Sequence, residues 1–365
     1  MNSFKLSLLP LAILACSGAQ ATDVSIYGSL DTGLRGTFSE DIDGVKTPSR
    51  FAMETGQFFP NMIGLKGSES LGNGLEIGFI LESRFNSDDG TMVESGRLFD
   101  NQSLITLKGD RWDAAIGRME GLSSTMGIFD MGCPMDPFEG GWAEAGGDGI
   151  FANIGLPVNN ALALRFNPIQ NLSVTGAYSL AVDTEQTSYG DNSHYGALGI
   201  AYQTERLWTG LTYEVVTPGK NEANIKQNDR VIKFAGSYDF GPMKLFATYS
   251  RTSGHEWYGY RVDSDSYRFG ATIPAGNGLI RTSVQYLDGG STRIDNQIYS
   301  PKRIVAALGY TYNLSKRTML WSTYSYSVGK DSLDKDSQNN QLMASTDDRA
   351  SANRQQLSIG MTHFF

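Results

Sequence analysis

Few residues in this chain have the types and spacing that chemistry requires. Beyond the first 21 residues it carries one cysteine, Cys133, and three histidines, His194, His255 and His363, scattered along 365 residues. A thiol nucleophile needs a base beside it, and a zinc site needs clustered Cys and His. No histidine lies near Cys133 in sequence, so a small loop residue is the simpler reading of the thiol. No GxSxG elbow occurs, and no histidine sits in a motif with a serine and an acid. A glycosidase needs two carboxylates, and nothing singles out a pair among 39 Asp and Glu. The sequence therefore gives no catalytic, cofactor or metal constellation.

Composition narrows the class. The chain holds 42 Gly, 18 Phe and 17 Tyr, is 40% hydrophobic and has a net charge of −9. The aromatic content argues against disorder. Mean hydropathy is −0.28, and no apolar run reaches the ~18 residues of a spanning helix. An acidic balance supplies no basic surface for phosphates, so nucleic acid is excluded as a partner.

Residues 1–21, MNSFKLSLLPLAILACSGAQA, combine Lys5, an apolar core from Leu8 to Ala15 and the small-residue site Ala19-Gln20-Ala21. They read as a secretory signal peptide cleaved before Thr22. Ile13-Leu14-Ala15-Cys16 also resembles a lipoprotein processing box, which leaves acylation of Cys16 as an alternative. The remaining domain, 22–365, has 29 basic and 39 acidic side chains and the single Cys133, so it forms no internal disulfide.

The elements that must position any functional side chain are strands. From Thr22 onward the pattern has period two, which places alternate residues on opposite faces. Val24, Ile26, Leu30 and Leu34 oppose Ser25, Tyr27, Ser29, Asp31 and Arg35; Ile304, Ala306, Leu308 and Tyr310 oppose Arg303, Ala307 and Thr311. Sixteen segments follow this rule, near 24–36, 56–68, 75–85, 98–109, 112–119, 159–167, 171–181, 194–203, 207–216, 230–240, 244–252, 265–273, 279–287, 302–312, 318–328 and 354–365. Connections alternate too: short turns such as 70–74, 204–206, 241–242, 274–278 and 313–317 interleave with long polar stretches such as 182–193, 217–229 and 329–353. Short turns at one end and long loops at the other describe an all-β, 16-stranded antiparallel transmembrane barrel. A soluble β-sandwich also alternates, but its inner face is dry. Here the polar face carries Arg84, Lys108, Arg165, Lys233, Arg268, Arg281 and Arg303, which need water or partners. Tyr and Phe toward segment ends suit an aromatic girdle at a lipid interface.

The last segment puts Leu357, Ile359, Met361, His363 and Phe365 on one parity and ends on Phe365. At VSIYGSLDTGL, IGLKGSESLGNGLEIGFILESRF, GRLFDNQSLITLKGD, AIGR, LRFNP, YNLSKRTMLWSTYSY and SIGMTHFF the chain resembles the Gram-negative general porins, in their beta-proteobacterial and neisserial branch. The resemblance implies a homotrimeric diffusion pore in the cell outer membrane, facing lipid and passing small hydrophilic solutes. It also implies that Phe365, with His363 and Met361, is read by the barrel-insertion machinery.

One connection, 120–158, is too apolar for a solvated loop, with Met126, Phe129, Met131, Cys133, Met135, Phe138 and Trp142 among glycines. In porins the third extracellular loop folds into the barrel and narrows it, and DPFEGGW resembles the tip of that loop. By that resemblance Asp130, Asp136, Glu139, Glu144 and Asp148 face wall residues Arg35, Lys66, Arg84, Lys108, Arg165 and Arg281. Opposed charges across a narrow water column would orient dipolar solutes and reject apolar ones. The same charges would otherwise form salt bridges that only hold the loop. Related porins often carry an arginine where Asn101 stands. Long loops equally suit a substrate-specific channel or a surface adhesin or receptor barrel, but no plug domain or calcium-type acidic repeat is present.

Overall fold

A computed structural model describes residues 24–42, 45–46, 48–140, 157–183, 185–186, 188–220, 228–254, 256–257, 260–261, 263–294, 297–300, 302–330 and 353–365. The export segment 1–21 with Cys16 lies outside the described residues, as do His255, Glu144, Asp148 and residues 141–156 of the long connection.

Sixteen antiparallel strands close on themselves. They are β1 (Ser25–Ile42), β2 in two pieces (Arg50–Thr55 and Met62–Gly72), β3 (Leu75–Arg84), β4 (Ser103–Lys108), β5 (Trp112–Met119), β6 (Val158–Ile169), β7 (Leu172–Ser179) and β8 (His194–Gln203). The circuit continues through β9 (Leu207–Thr217), β10 (Asp229–Asp239), β11 (Lys244–Ser253), β12 (Ser264–Ala275), β13 (Gly278–Gly289), β14 (Lys302–Asn313), β15 (Thr318–Lys330) and β16 (Asn353–Phe364). Each strand pairs with its neighbours in sequence, and β1 pairs with β16 from Ser29↔Phe364 to Asp41↔Asn353. Closure matters because hydrocarbon offers no partner for a backbone N–H or C=O at an open edge.

Alternation sorts the side chains as the pattern predicts. Ile26, Leu30, Leu34, Ile105, Ile116, Leu198, Phe269, Leu308 and Ile359 are exposed on the outer face, while Ser29, Asp31, Thr248, Arg268, Gln285 and Arg303 are buried on the inner one. This is the inverse of a soluble protein, in which the apolar parity would be buried.

Boundaries agree closely with the sequence reading, with three differences. Strand β1 continues to Ile42 rather than stopping near 36, and its far end pairs with Val45–Lys46. The second strand, expected over 56–68, begins earlier at Arg50 and is interrupted: residues 56–61 leave the ladder and the strand resumes at Met62. Residues 98–102, expected within the fourth strand, precede it; Asp100, Asn101 and Gln102 hold buried side-chain partners there, and the Asn101 amide and Gln102 carbonyl still bond the backbone of Glu82.

Candidate functional site: the inner wall and the 120–140 segment

Inside the barrel, the polar parity of the wall meets the apolar stretch that follows β5. Its first residues are fastened to β8 and β9. Tyr195 Oη donates to Glu214 Oε1 at 2.5 Å, the Leu122 amide donates to Tyr195 Oη at 3.0 Å, and the Ser123 amide reaches Glu214 Oε1 at 3.3 Å. Tyr195 and Glu214 are both fully buried. The Ile128 amide donates to Gln102 Oε1 at 3.0 Å.

Farther on, the segment rests on inward residues of β8 to β13. Met131 and Met135 pack with Trp208 and Ala235, and Thr248 Oγ1 donates to the Met135 carbonyl at 2.7 Å. A short 3-10 turn, Cys133–Met135, bends the chain toward Asp136. The wall admits this approach because β12 offers Gly270, where a Cβ would lie 2.6 Å from the Pro137 ring. At the far end Asp136 Oδ2 lies 3.1 Å from Arg268 Nη1. Arg281 donates to the Pro137 carbonyl at 2.6 Å and meets Glu139 Oε1 at 3.2 Å. Asp136 also accepts the amides of Phe138 and Gly140, which sets the turn's shape.

The expected site residues thus fall in separate places along the wall and the segment. Arg281 is brought to Glu139, and Asp136 is brought to Arg268, which had not been placed opposite the loop. Arg84 stands at the root of the segment, 2.8 Å from Asp100 and 3.9 Å from Glu120. Arg35 pairs with Glu54 at 3.6 Å. Toward the short turns, Lys66, Lys108 and Arg165 line a cavity of about 550 Å³. There Lys108 lies 3.6 Å from Glu76, Lys66 lies over the Tyr27 ring, and Arg165 lies over the Phe129 ring. Asp130 folds back on its own turn, accepting the amides of Gly132 and Cys133. Burial raises its carboxyl above the ordinary value, against the pull of those donors.

Residues that the pattern did not single out complete the site. Glu82 accepts Tyr27 Oη, Asn101 Nδ2 and Gln102 Nε2 at 2.6, 2.6 and 2.7 Å. Asn101, where an arginine was expected from the resemblance, is therefore a neutral donor to a buried acid. Glu120 is buried beside Arg84, and desolvation raises its carboxyl to about 7 in spite of that guanidinium. The thiol of Cys133 is raised strongly by burial and by the nearby acids Asp130, Glu139 and Asp136, which removes the thiolate that nucleophilic chemistry needs. No group of His, Cys, Asp and Glu among the described residues is arranged to hold a metal ion.

At the other end of the chain, Leu357, Ile359 and Met361 are exposed on the outer face of β16, Phe365 just after it is exposed too, and His363 shares their parity. His363 Nδ1 meets Thr318 Oγ1 at 2.9 Å.

Comparison with known proteins agrees with this architecture. The family model described as Gram-negative porin matches residues 9–332. An outer membrane porin protein of Bordetella pertussis is 30% identical, with 88% of this chain and 94% of that protein covered. Outer membrane porin protein 32 of Delftia acidovorans is also 30% identical, over 90% of each. Among solved structures, the anion-selective porin from Comamonas acidovorans superposes with a TM-score of 0.73 at 23% identity, covering 94% of this chain and all of that one. A closed barrel with its apolar parity outward and its charged parity inward, matched along most of its length, belongs to the Gram-negative porin family of the outer membrane.

Proposed function

We propose that this outer-membrane porin is a passive channel for small hydrophilic solutes and ions, not an enzyme, whose lumen is narrowed by the segment beginning at residue 120. One observation carries the reading: the tip of that segment is pinned to inward arginines of β12 and β13, through Asp136 to Arg268 and through Pro137 and Glu139 to Arg281. A surface loop would lie in water above the rim, whereas these partners sit within the wall. The long connections then face outside the cell and the short turns face the periplasm.

The same contacts argue for anion preference. Along β10 to β16 the inner wall carries Lys233, Arg268, Arg281, Arg303 and Arg354, and the tip of the segment supplies two acids against them. The wall that the tip faces on β12 and β13 is basic although the whole chain is acidic, and the field at the narrowest point governs permeation. The solved relative from Comamonas acidovorans, described as anion-selective, supports this sign. A planar-bilayer measurement under a salt gradient tests it; a zero-current potential favouring cations would refute it.

We also propose a homotrimer, exported through a leader at 1–21. Exposed tyrosines suited to a headgroup interface stand on β7 to β10, β12, β14 and β15, including Tyr178, Tyr202, Tyr213, Tyr238, Tyr267, Tyr312 and Tyr324. On β16 and β1 to β5 the exposed face carries none of these tyrosines and holds mainly Leu357, Ile359, Ile26, Leu30, Leu34, Ile105 and Ile116, with Phe51 toward the long connections, a sector fitted to a protein neighbour. One similar solved structure, OmpT of Vibrio cholerae, is described as a trimer form. Sedimentation in mild detergent should give three copies, and mass spectrometry should place the mature amino terminus at Thr22.

A further inference from the structure

The interruption in β2 is a built feature. At Gly56, whose φ of +63° suits glycine, the chain leaves the ladder and returns only at Met62. Six residues, Gly-Gln-Phe-Phe-Pro-Asn, turn inward instead of continuing the strand. Leaving a ladder strands backbone donors, and each must find another partner. Asp31 on β1 supplies them. Its Oδ1 accepts the amides of Gln57 and Phe58 at 2.8 and 3.3 Å, and its carbonyl accepts the Gly56 amide at 3.1 Å. Its Oδ2 accepts Trp321 Nε1 at 3.0 Å and the Thr362 hydroxyl. Asn61 completes the arrangement by accepting the Asp31 amide at 2.5 Å, and Ser29 Oγ holds the Pro60 carbonyl at 2.7 Å. One fully buried carboxylate thus joins the excursion to β1, β15 and β16.

What the excursion carries is aromatic. Phe58 is buried in a cluster with Phe138, Ala307 and Trp321. Ala307 and Trp321 belong to the inward parity of β14 and β15, and Phe138 is fully buried at the tip of the 120–140 segment. The guanidinium of Arg281, which grips Pro137, lies 5.9 Å from the centre of the Phe58 ring. Phe59 packs edge-on to Phe364 at 5.2 Å. The tip is therefore held from two sides, by charged partners on β12 and β13 and by an apolar seat from β2.

We infer that the 56–61 excursion is a second constricting element, that Phe58 is the seat on which Phe138 rests, and that Asp31 is the positioning residue holding that seat. This rests on the reading of the 120–140 segment as the channel's narrowing loop. Its consequence is a division of labour: the charged contacts set ion preference, while the Phe58–Phe138 contact sets the largest solute admitted. Truncating an apolar ring alters bulk and leaves the field almost unchanged.

The experiment uses the full-length porin in planar bilayers and in liposomes swelling with sugars from mono- to tetrasaccharides. Phe58→Ala and Phe138→Ala should each raise single-channel conductance by about 1.5-fold or more, since the tip loses the buried contact that holds it across a narrow water column. Both should admit a larger sugar than the parent does, with the zero-current potential unmoved. Phe58→Leu should bring the cut-off back toward the parent's, which a general loosening of the barrel would not do. Where Phe58→Ala fails to insert, Phe58→Val serves in its place. A folded Phe58 variant with the parent's conductance and sugar cut-off overturns the inference. If Phe138→Ala then widens the channel alone, the narrowing loop stands without its seat; if neither widens it, the loop reading falls as well.

Discussion

Arg268 Nη1 lies 3.1 Å from Asp136 Oδ2, and neither side chain is more than 4% exposed. The charges of the wall and the loop tip thus meet directly, not across open water. Removing one partner of such a pair leaves the other buried and uncompensated, a loss of about 3–5 kcal/mol. Asp136→Asn should therefore shift the zero-current potential toward anions and also loosen the tip, seen as added current noise. Glu139 is half exposed beside Arg281, so Glu139→Gln should produce the shift with little change in conductance. Both shifts should shrink in concentrated salt, because the ~8 Å screening length at physiological salt shortens further. An unchanged potential at low salt for both variants would place these carboxylates outside the conduction path.

The barrel was legible in the sequence because lipid imposes it: period two, short turns and a charged parity leave little else. Parity could say that Arg268 and Arg281 face inward, but not that they meet Asp136 and Glu139. That contact depends on where the 120–140 segment lands, and landing is set by shape, by Gly270 leaving room for Pro137 and by Tyr195 and Glu214 catching the segment's start. The break in β2 left a faint trace in Gly56 and Pro60. Its cause is Asp31, some 25 residues earlier, whose role no local pattern announces.

A pH dependence follows from Glu120, which sits buried beside Arg84 just after β5. Its carboxyl keeps a proton up to about pH 7, where an exposed one releases it near 4.5. Over that window the folded arrangement binds more protons than the unfolded chain, so stability is highest at the acid end and declines as pH rises through about 7. The lumen also gains one negative charge in the same range. Going from pH 8 to pH 6 should therefore move the zero-current potential toward anions. Glu120→Gln should abolish that step while leaving the anion preference of the acid form; a step that survives the substitution would assign it to another group.

Tyr195 and Glu214 form the clasp at the start of the 120–140 segment. Tyr195→Phe removes the hydroxyl that donates to Glu214 and accepts from the Leu122 amide, leaving the Ser123 amide as the remaining donor in that group. Leaving buried groups unpaired costs about 1–3 kcal/mol each. The barrel, whose strands pair independently of this clasp, should retain its resistance to unfolding by denaturant. The segment should fluctuate more, giving flickering single-channel currents. Quiet currents in the variant would mean that the tip contacts alone hold the segment.

Phe365 closes the chain against β1, donating its amide to the Gly28 carbonyl at 3.1 Å and accepting the Gly28 amide at 3.3 Å. Those two bonds are each worth about 0.5–1.5 kcal/mol net, a small share of a seam that runs to Asp41↔Asn353. Deleting Phe365 should therefore leave refolding in detergent nearly intact. In cells the outcome should differ if, as the family resemblance implies, the exposed row of Leu357, Ile359, Met361 and Phe365 is read by the insertion machinery. Export to the periplasm should continue while outer-membrane levels fall. Phe365→Ala separates the two causes, since it keeps both backbone bonds and removes only the ring. If Phe365→Ala depresses outer-membrane levels as strongly as the deletion does, recognition of the side chain accounts for the loss. Unchanged levels in both variants would assign the terminal residue a part in the seam alone.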